Sequence, residues 1–189
     1  LAVDTIHGFI AESAGVPDIT WPFGLDVGQS IDVNRLTTAV RLANRRIYLE
    51  GSKHQEMSGM GTTVVAALVA NGKVALVSVG DSRIYHLRNG AVRERTRDHS
   101  HVELLLQDGV ITESEIAAHP MRNFVECCLG GDAWLPGMTI TRQKRLEPGD
   151  VLMVCTDGLW SGLGDERIGA LAGDGQPLAG GLRRLGEQS

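Results

Sequence analysis

The chain has 189 residues, enough for one sizeable core and too few for two domains of ordinary size. Apolar residues make up 42% and charged residues 22%, and the formal net charge of −5 argues against non-specific nucleic-acid binding, which needs a positive footprint. No apolar run reaches the roughly 18 residues of a membrane span, and no basic start with an apolar run and cleavage site marks a secretory signal.

Leu1 stands where a translated chain would have Met, and it opens inside a helical pattern, which points to an excised or processed piece. Leu1, Ile6, Phe9 and Ile10 recur at helical spacing, and Gly15 with Pro17 ends the run. A second helix is expected from Asp32 to about Glu50, with Leu36, Val40, Ala43 and Ile47 as its apolar stripe and Gly51 as its stop. The period then changes to that of strands. Thr62–Ala70 and Val74–Val79 flank Asn71-Gly72, and Arg83–Leu87 and Ala91–Arg95 flank Asn89-Gly90, two tight hairpins that predict one antiparallel meander. His101–Gln107 and Ile111–Ala118 read as short helices, the second with capping-box spacing at Thr112 and Glu115. Strands are expected at Phe124–Leu129, Met138–Arg145 and Val151–Thr156, with a turn at Pro148-Gly149. Amphipathic pieces at Asp165–Leu171 and Leu178–Leu185 close the chain. No repeat, low-complexity tract or linker divides it, so residues 1–189 are read as one α+β domain.

Four places invite chemistry. Asp157 follows the nearly continuous apolar strand Val151–Thr156, and Asp81 follows the strand ending at Val79 beside Gly80. A carboxylate delivered at a strand end must be solvated, bonded or metal-bound, and hard cations such as Mg²⁺ and Mn²⁺ prefer such oxygens. Arg83 is a candidate partner for Asp81, which sits between two strands expected to be neighbours. Each aspartate is also compatible with a plain turn, Asp157 beside Gly158 and Asp81 capped by Ser82. His99, His101 and His119 cluster within about twenty residues without trustworthy ligand spacing, since His99 and His101 would point to opposite sides of a strand. Arg93, Arg95 and Arg97 alternate, a stripe suited to a phosphorylated partner or to plain solvation. Cys127, Cys128 and Cys155 are odd in number and lack C-x-x-C spacing, so reduced thiols and a cytoplasmic location are expected rather than a disulfide framework or a zinc site.

In order along the chain stand Met60-Gly-Thr-Thr63, Gly80-Asp-Ser-Arg83, Asp98-His-Ser100, Gly109-Val-Ile-Thr112, His119-Pro-Met-Arg-Asn123, Glu147-Pro-Gly-Asp150 and Thr156-Asp-Gly-Leu-Trp160. With their spacing, over roughly residues 1–172, the chain resembles the bacterial branch of the PP2C, or PPM, family of metal-dependent serine/threonine protein phosphatases. The resemblance implies a two-sheet antiparallel β-sandwich flanked by helices, with a centre of two Mn²⁺ or Mg²⁺ ions at one edge between the sheets, and in bacterial members often a third ion under a flap. It implies hydrolysis of phosphoserine and phosphothreonine by a metal-bound water. The partners would be phosphorylated proteins, including a cognate serine/threonine kinase and its substrates, with no role for nucleic acid or membrane. Residue by residue, Asp157 resembles a metal ligand of the binuclear centre and third site, and Asp81 a third-site ligand. Residues 98–124 resemble the flap, and His119 a catalytic flap residue that contacts substrate or assists proton transfer. Ser161 stands where many relatives carry an acidic or amide residue.

The family's early Asp-Gly-x-Gly-Gly segment, the phosphate-gripping arginine near its start and the late Asp-Asn pair have no counterpart in this sequence; Asp108-Gly109 and Asp174-Gly175 fall in the wrong contexts. The expectation is therefore that the chain starts just after one half of the metal site and stops just before the other. Beside the phosphatase reading stands a second, a catalytically inactive module of the same fold that binds a partner.

Overall fold

The structure is a computed structural model that describes residues 1–16, 19–134 and 137–172, with the backbone alone at 142–143 and 171–172. Leu178–Leu185, Asp174-Gly175 and Pro17 lie outside the described residues.

Two helices open the chain. Helix α1 (Ala2–Ser13) lays Ala2, Ile6 and Ile10 against the second helix and its core. Helix α2 (Ile31–Lys53) is capped by Ser30, whose hydroxyl accepts from the Val33 amide at 3.3 Å, and Asp32 sits in its first turn, where a negative charge suits the helix dipole. Val33, Leu36, Val40, Ala43 and Ile47 are buried at helical spacing.

Six strands follow: β1 (Val64–Ala70), β2 (Lys73–Val79), β3 (Arg83–Arg88), β4 (Ala91–Arg95), β5 (Thr139–Arg145) and β6 (Val151–Cys155). They form two antiparallel sheets, in the orders β1-β2-β5 and β4-β3-β6. Both Asn-Gly turns carry the positive φ pair that a two-residue hairpin requires, 52° and 68° at Asn71-Gly72 and 53° and 73° at Asn89-Gly90. The two hairpins are not one meander, however. Strands β2 and β3 belong to different sheets, so the chain changes sheet at Gly80-Asp81-Ser82 instead of turning back along a neighbour.

Strand periodicity stacks the layers. On β2, Ala75, Val77 and Val79 pack with the α2 stripe, while Val74 and Leu76 pack with Ile84 of β3 between the sheets. On β3 the alternate residues Tyr85 and Leu87 join Met153, Leu163 and Ile168 beneath helix α6 (Asp165–Ala172). The order is helices, sheet, sheet, helix, a two-sheet antiparallel sandwich flanked by helices.

Between β4 and β5 run the short helices α3 (His101–Gln107) and α4 (Glu113–Ile116), and the expected capping box of Thr112 and Glu115 is present. Phe124–Leu129 is not a strand. Single bridges, Ser100 with Val125 and Thr62 with Leu129, are its only ladder pairs among the described residues. The segment spans from the α3 cap to the start of β1 and never lies along one partner long enough to extend a ladder.

Candidate metal-binding rim

The register of β3 on β6 decides where the two aspartates go. Arg83 pairs with Cys155 at the end of this antiparallel ladder. Asp81 lies two residues before Arg83 and Asp157 two residues after Cys155, so the two strands deliver both acids to one end of the second sheet. Asp157 opens the helical turn α5 (Asp157–Trp160) and is exposed, with its carboxylate accepting from the Gly158 amide at 2.9 Å. Asp81 is half-buried. Burial first, then the negative charge of Asp157, pushes the Asp81 carboxyl above its ordinary 3.8; its own backbone amide and Arg83 oppose the rise.

Gly80 makes the change of sheet possible. Its φ is +101°, and a Cβ there would lie 2.4 Å from Cγ2 of Thr63. Bonds to Thr63 and His99 hold the crossing. The Thr63 and Ser82 hydroxyls bond at 2.9 Å, the His99 amide donates to the Gly80 carbonyl at 2.9 Å, and the Gly80 amide donates to Nδ1 of His99 at 3.1 Å. With Nδ1 an acceptor, Nε2 carries the proton and donates to the Thr139 hydroxyl at 2.8 Å. His99 thus ties the crossing to the first residue of β5. It is not one of two histidines on opposite sides of a strand, since neither it nor His101 lies in one. Burial pushes its imidazole below the ordinary 6.5, against the pull of Asp98.

Arg83 does not pair with Asp81 as its spacing suggested. Its Nε and one terminal nitrogen donate to both oxygens of Asp98, at 2.8 and 2.7 Å, and the other donates to the Tyr85 hydroxyl at 3.1 Å. The fork reaches across to the segment after β4 because Asp98 is buried and would otherwise be an unpaired charge. The guanidinium carbon stands 3.5 Å from the centroid of the Trp160 ring, and the Trp160 N–H donates to the Asp81 carbonyl at 3.0 Å. Trp160 and Asp98 were visible in the sequence only as parts of quoted signatures; no pattern in the chain assigns them to one cluster with Asp81.

His119 lies between α4 and the Phe124–Leu129 segment. Its Nδ1 accepts from the Met121 amide at 3.2 Å, and its ring centroid is 6.5 Å from that of His101, which in turn meets Glu126 at 2.7 Å and the edge of Phe124. Neither aspartate of the rim is among its partners. The arginine stripe is interrupted as well. Leu87 pairs with Val92 and His86 with Glu94, so Arg93 is an extra residue in a bulge. Arg95 therefore joins Val92 on the α6 side, where it donates to Asp165 at 3.0 Å, while Arg93 and Arg97 are exposed.

The donor chemistry at the rim fits one hard divalent cation held by one or two carboxylates and completed by water. A cation there would also offset the burial and, after it, the repulsion by Asp157 that raise Asp81. The same two carboxylates do not furnish donors for two ions, and among the described residues no group of three or more His, Cys, Asp or Glu is arranged to hold a metal.

The sequence model of protein phosphatase 2C matches residues 25–184. Among curated proteins, the chain is 36% identical over 134 residues to the serine/threonine protein phosphatase PstP of Mycobacterium tuberculosis, covering 71% of this chain and 26% of that protein. It is 36% identical over 124 residues to the serine/threonine phosphatase stp of Listeria monocytogenes, covering 66% and 48%. The chain thus spans about a quarter of the first relative and about half of the second. Among solved structures, the catalytic domain of the serine/threonine protein phosphatase PstP in complex with two manganese ions superposes with a TM-score of 0.73 at 28% identity, covering 99% of this chain and 73% of that one. With the fold, the ordered signatures and this match in agreement, the chain belongs to the protein phosphatase 2C family.

Proposed function

We propose that this chain forms the central part of a protein serine/threonine phosphatase that hydrolyses phosphoserine and phosphothreonine in proteins. The observation that carries the reading is the delivery of Asp81 and Asp157 to one rim by the β3–β6 register. The names of the relatives and the two manganese ions of the PstP structure support it. In this reading the cofactors are Mn²⁺ or Mg²⁺, two in the whole centre and a third in the bacterial pattern, with Asp81 and Asp157 as the ligands that this chain supplies. When bound, such ions neutralise phosphoryl oxygens and acidify water. The chain's own contribution is to fix the acids. Gly80 and His99 hold the crossing that carries Asp81, and α5 carries Asp157 on the end of β6. His119, on the segment 98–124 that we read as the flap, is assigned to substrate contact or proton transfer. Phosphorylated proteins, among them a serine/threonine kinase and its substrates, are the proposed partners. The proposed setting is the cytoplasm, consistent with there being no helix, among the described residues, long and apolar enough to cross a membrane. Residues 1–189 are taken as one domain.

The test is Asp157→Asn in the full-length protein, assayed with a phosphothreonine peptide and Mn²⁺. Loss of one carboxylate from the centre is expected to reduce turnover by at least about 100-fold. Near-normal turnover would remove Asp157 from the site. One observation favours a second reading, an inactive module that binds a partner: the absence of a three-residue ligand cluster among the described residues. Under it the unaltered protein has no Mn²⁺-dependent turnover for the substitution to remove.

A further inference from the structure

Beyond Arg83 and Cys155 the β3–β6 ladder has no further pair, and the two chains part just where each carries an acid. A side chain takes over from the backbone there. Trp160 ends the turn that Asp157 begins, and its indole N–H reaches the main-chain carbonyl of Asp81 at 3.0 Å. The ring is gripped on its face too. Arg83 lies over it at 3.5 Å, and that guanidinium is locked by its fork to Asp98 and its bond to Tyr85. Tyr85 is fixed in turn, donating to Asp165 at 3.2 Å. The indole is therefore held by edge and face between the strand of one acid and the turn of the other.

We infer that Trp160 is a positioning residue that sets the spacing of the Asp81 and Asp157 carboxylates, seated by the Arg83–Asp98 pair, and that it thereby tunes the rim's affinity for a divalent cation. The inference rests on the reading that these acids hold a cation. Two like charges at one rim repel. The turn that carries Asp157 also packs through Leu159 and Trp160 on the core of the second sheet, but the indole N–H is the bond that joins it to the Asp81 backbone, and without it the Asp81 carbonyl loses that donor. Partners of this kind act through the ligands they orient and never touch the reacting atoms.

The discriminating variant is Trp160→Phe, which keeps an aromatic face for Arg83 and removes the N–H. In the full-length protein, Mn²⁺ affinity is read from the paramagnetic resonance signal of the free ion during titration, and the melting temperature is read without metal. The expected result is a fall in Mn²⁺ affinity of about 10-fold. Arg83→Lys, which keeps the charge but neither the fork nor the flat stack, is expected to shift affinity the same way. A purely structural Trp160 would lower the metal-free melting temperature and leave Mn²⁺ affinity alone, which overturns the inference. Asp157→Asn separates the two levels. If it loses Mn²⁺ while Trp160→Phe binds as the unaltered protein does, the positioning role falls and the cation reading stands. If Asp157→Asn binds Mn²⁺ undiminished, the cation reading falls and takes the inference with it. Should Trp160→Phe not fold, unchanged affinity in Arg83→Lys overturns the proposal by itself.

Discussion

At Gly80 a single missing methyl group lets the chain cross from one sheet to the other. Its φ of +101° is in the region that side chains resist, and an added Cβ would press into Thr63 at 2.4 and 2.7 Å. Thr63 cannot swing away freely, because its hydroxyl is bonded to Ser82 across the same crossing. Gly80→Ala is therefore expected to destabilise the fold by about 2–4 kcal/mol, the sum of backbone strain and overpacking. Urea denaturation checks this, and a loss under about 1 kcal/mol would mean that the crossing relaxes at little expense. The sequence placed Gly80 beside Asp81 at the end of a strand but gave no hint of Thr63. That contact exists only because β1 and β2 are paired so that Val64 lies opposite Val79.

The turn between β5 and β6 illustrates how an element is fastened. Asp150 accepts from two nitrogens of Arg88, at 2.5 and 2.9 Å, and from the Glu147 amide at 2.8 Å, with Nε2 of His86 3.0 Å away. Arg88 also meets Glu147 at 2.7 Å. This ties the turn to β3, the strand on which β6 pairs. The Arg88 bonds above all hold the Asp150 carboxyl well below the usual carboxylate range. A carboxyl depressed in the folded state gives stability that is present above its ordinary 3.8 and drains away as pH falls below it. Asp150→Asn is expected to lower the melting temperature at pH 7 and to flatten its decline below pH 4; thermal melts across that range check both, and an unchanged acid limb would refute the assignment. Glu147-Pro-Gly-Asp150 was readable as a turn from its composition. Its anchoring to Arg88 was not, since the partners are 62 positions apart.

On the scale of the molecule, the sandwich depends on polar ties where the sheets meet, and His99 is the one that titrates. It bonds the β2–β3 crossing through Nδ1 and Thr139 of β5 through Nε2, so it must be neutral to do both. Burial lowers its folded pKa below 6.5, which means that the neutral form's stability is present above pH 6.5 and is lost as pH falls through the lower folded value. The protein is accordingly expected to lose stability on acidification from pH 6.5, before the carboxylate limb of Asp150 begins. His99→Gln should flatten the first limb while leaving the second; denaturant midpoints at half-unit pH intervals check this, and an unchanged first limb assigns it to another histidine.

Read alone, the sequence determined the elements whose signals are local: both opening helices, the two Asn-Gly hairpins, the Thr112 capping box and the strands that flank Pro148-Gly149. It also carried the family, because short signatures in a fixed order need no fold to be recognised. It failed where pairing is between distant parts. The meander was read from two adjacent hairpins, but β2 is buried on both faces and so has to lie between α2 and a second sheet, which sends β3 elsewhere. Phe124–Leu129 has the composition of a strand and no partner to extend along. The arginine stripe was broken by one bulged residue that no alternation pattern reveals. Tertiary structure alone decided that Arg83 serves Asp98 rather than Asp81, and that an indole joins the two acids, because hydrogen bonds between residues 15 and 79 positions apart are set by strand register and not by sequence spacing.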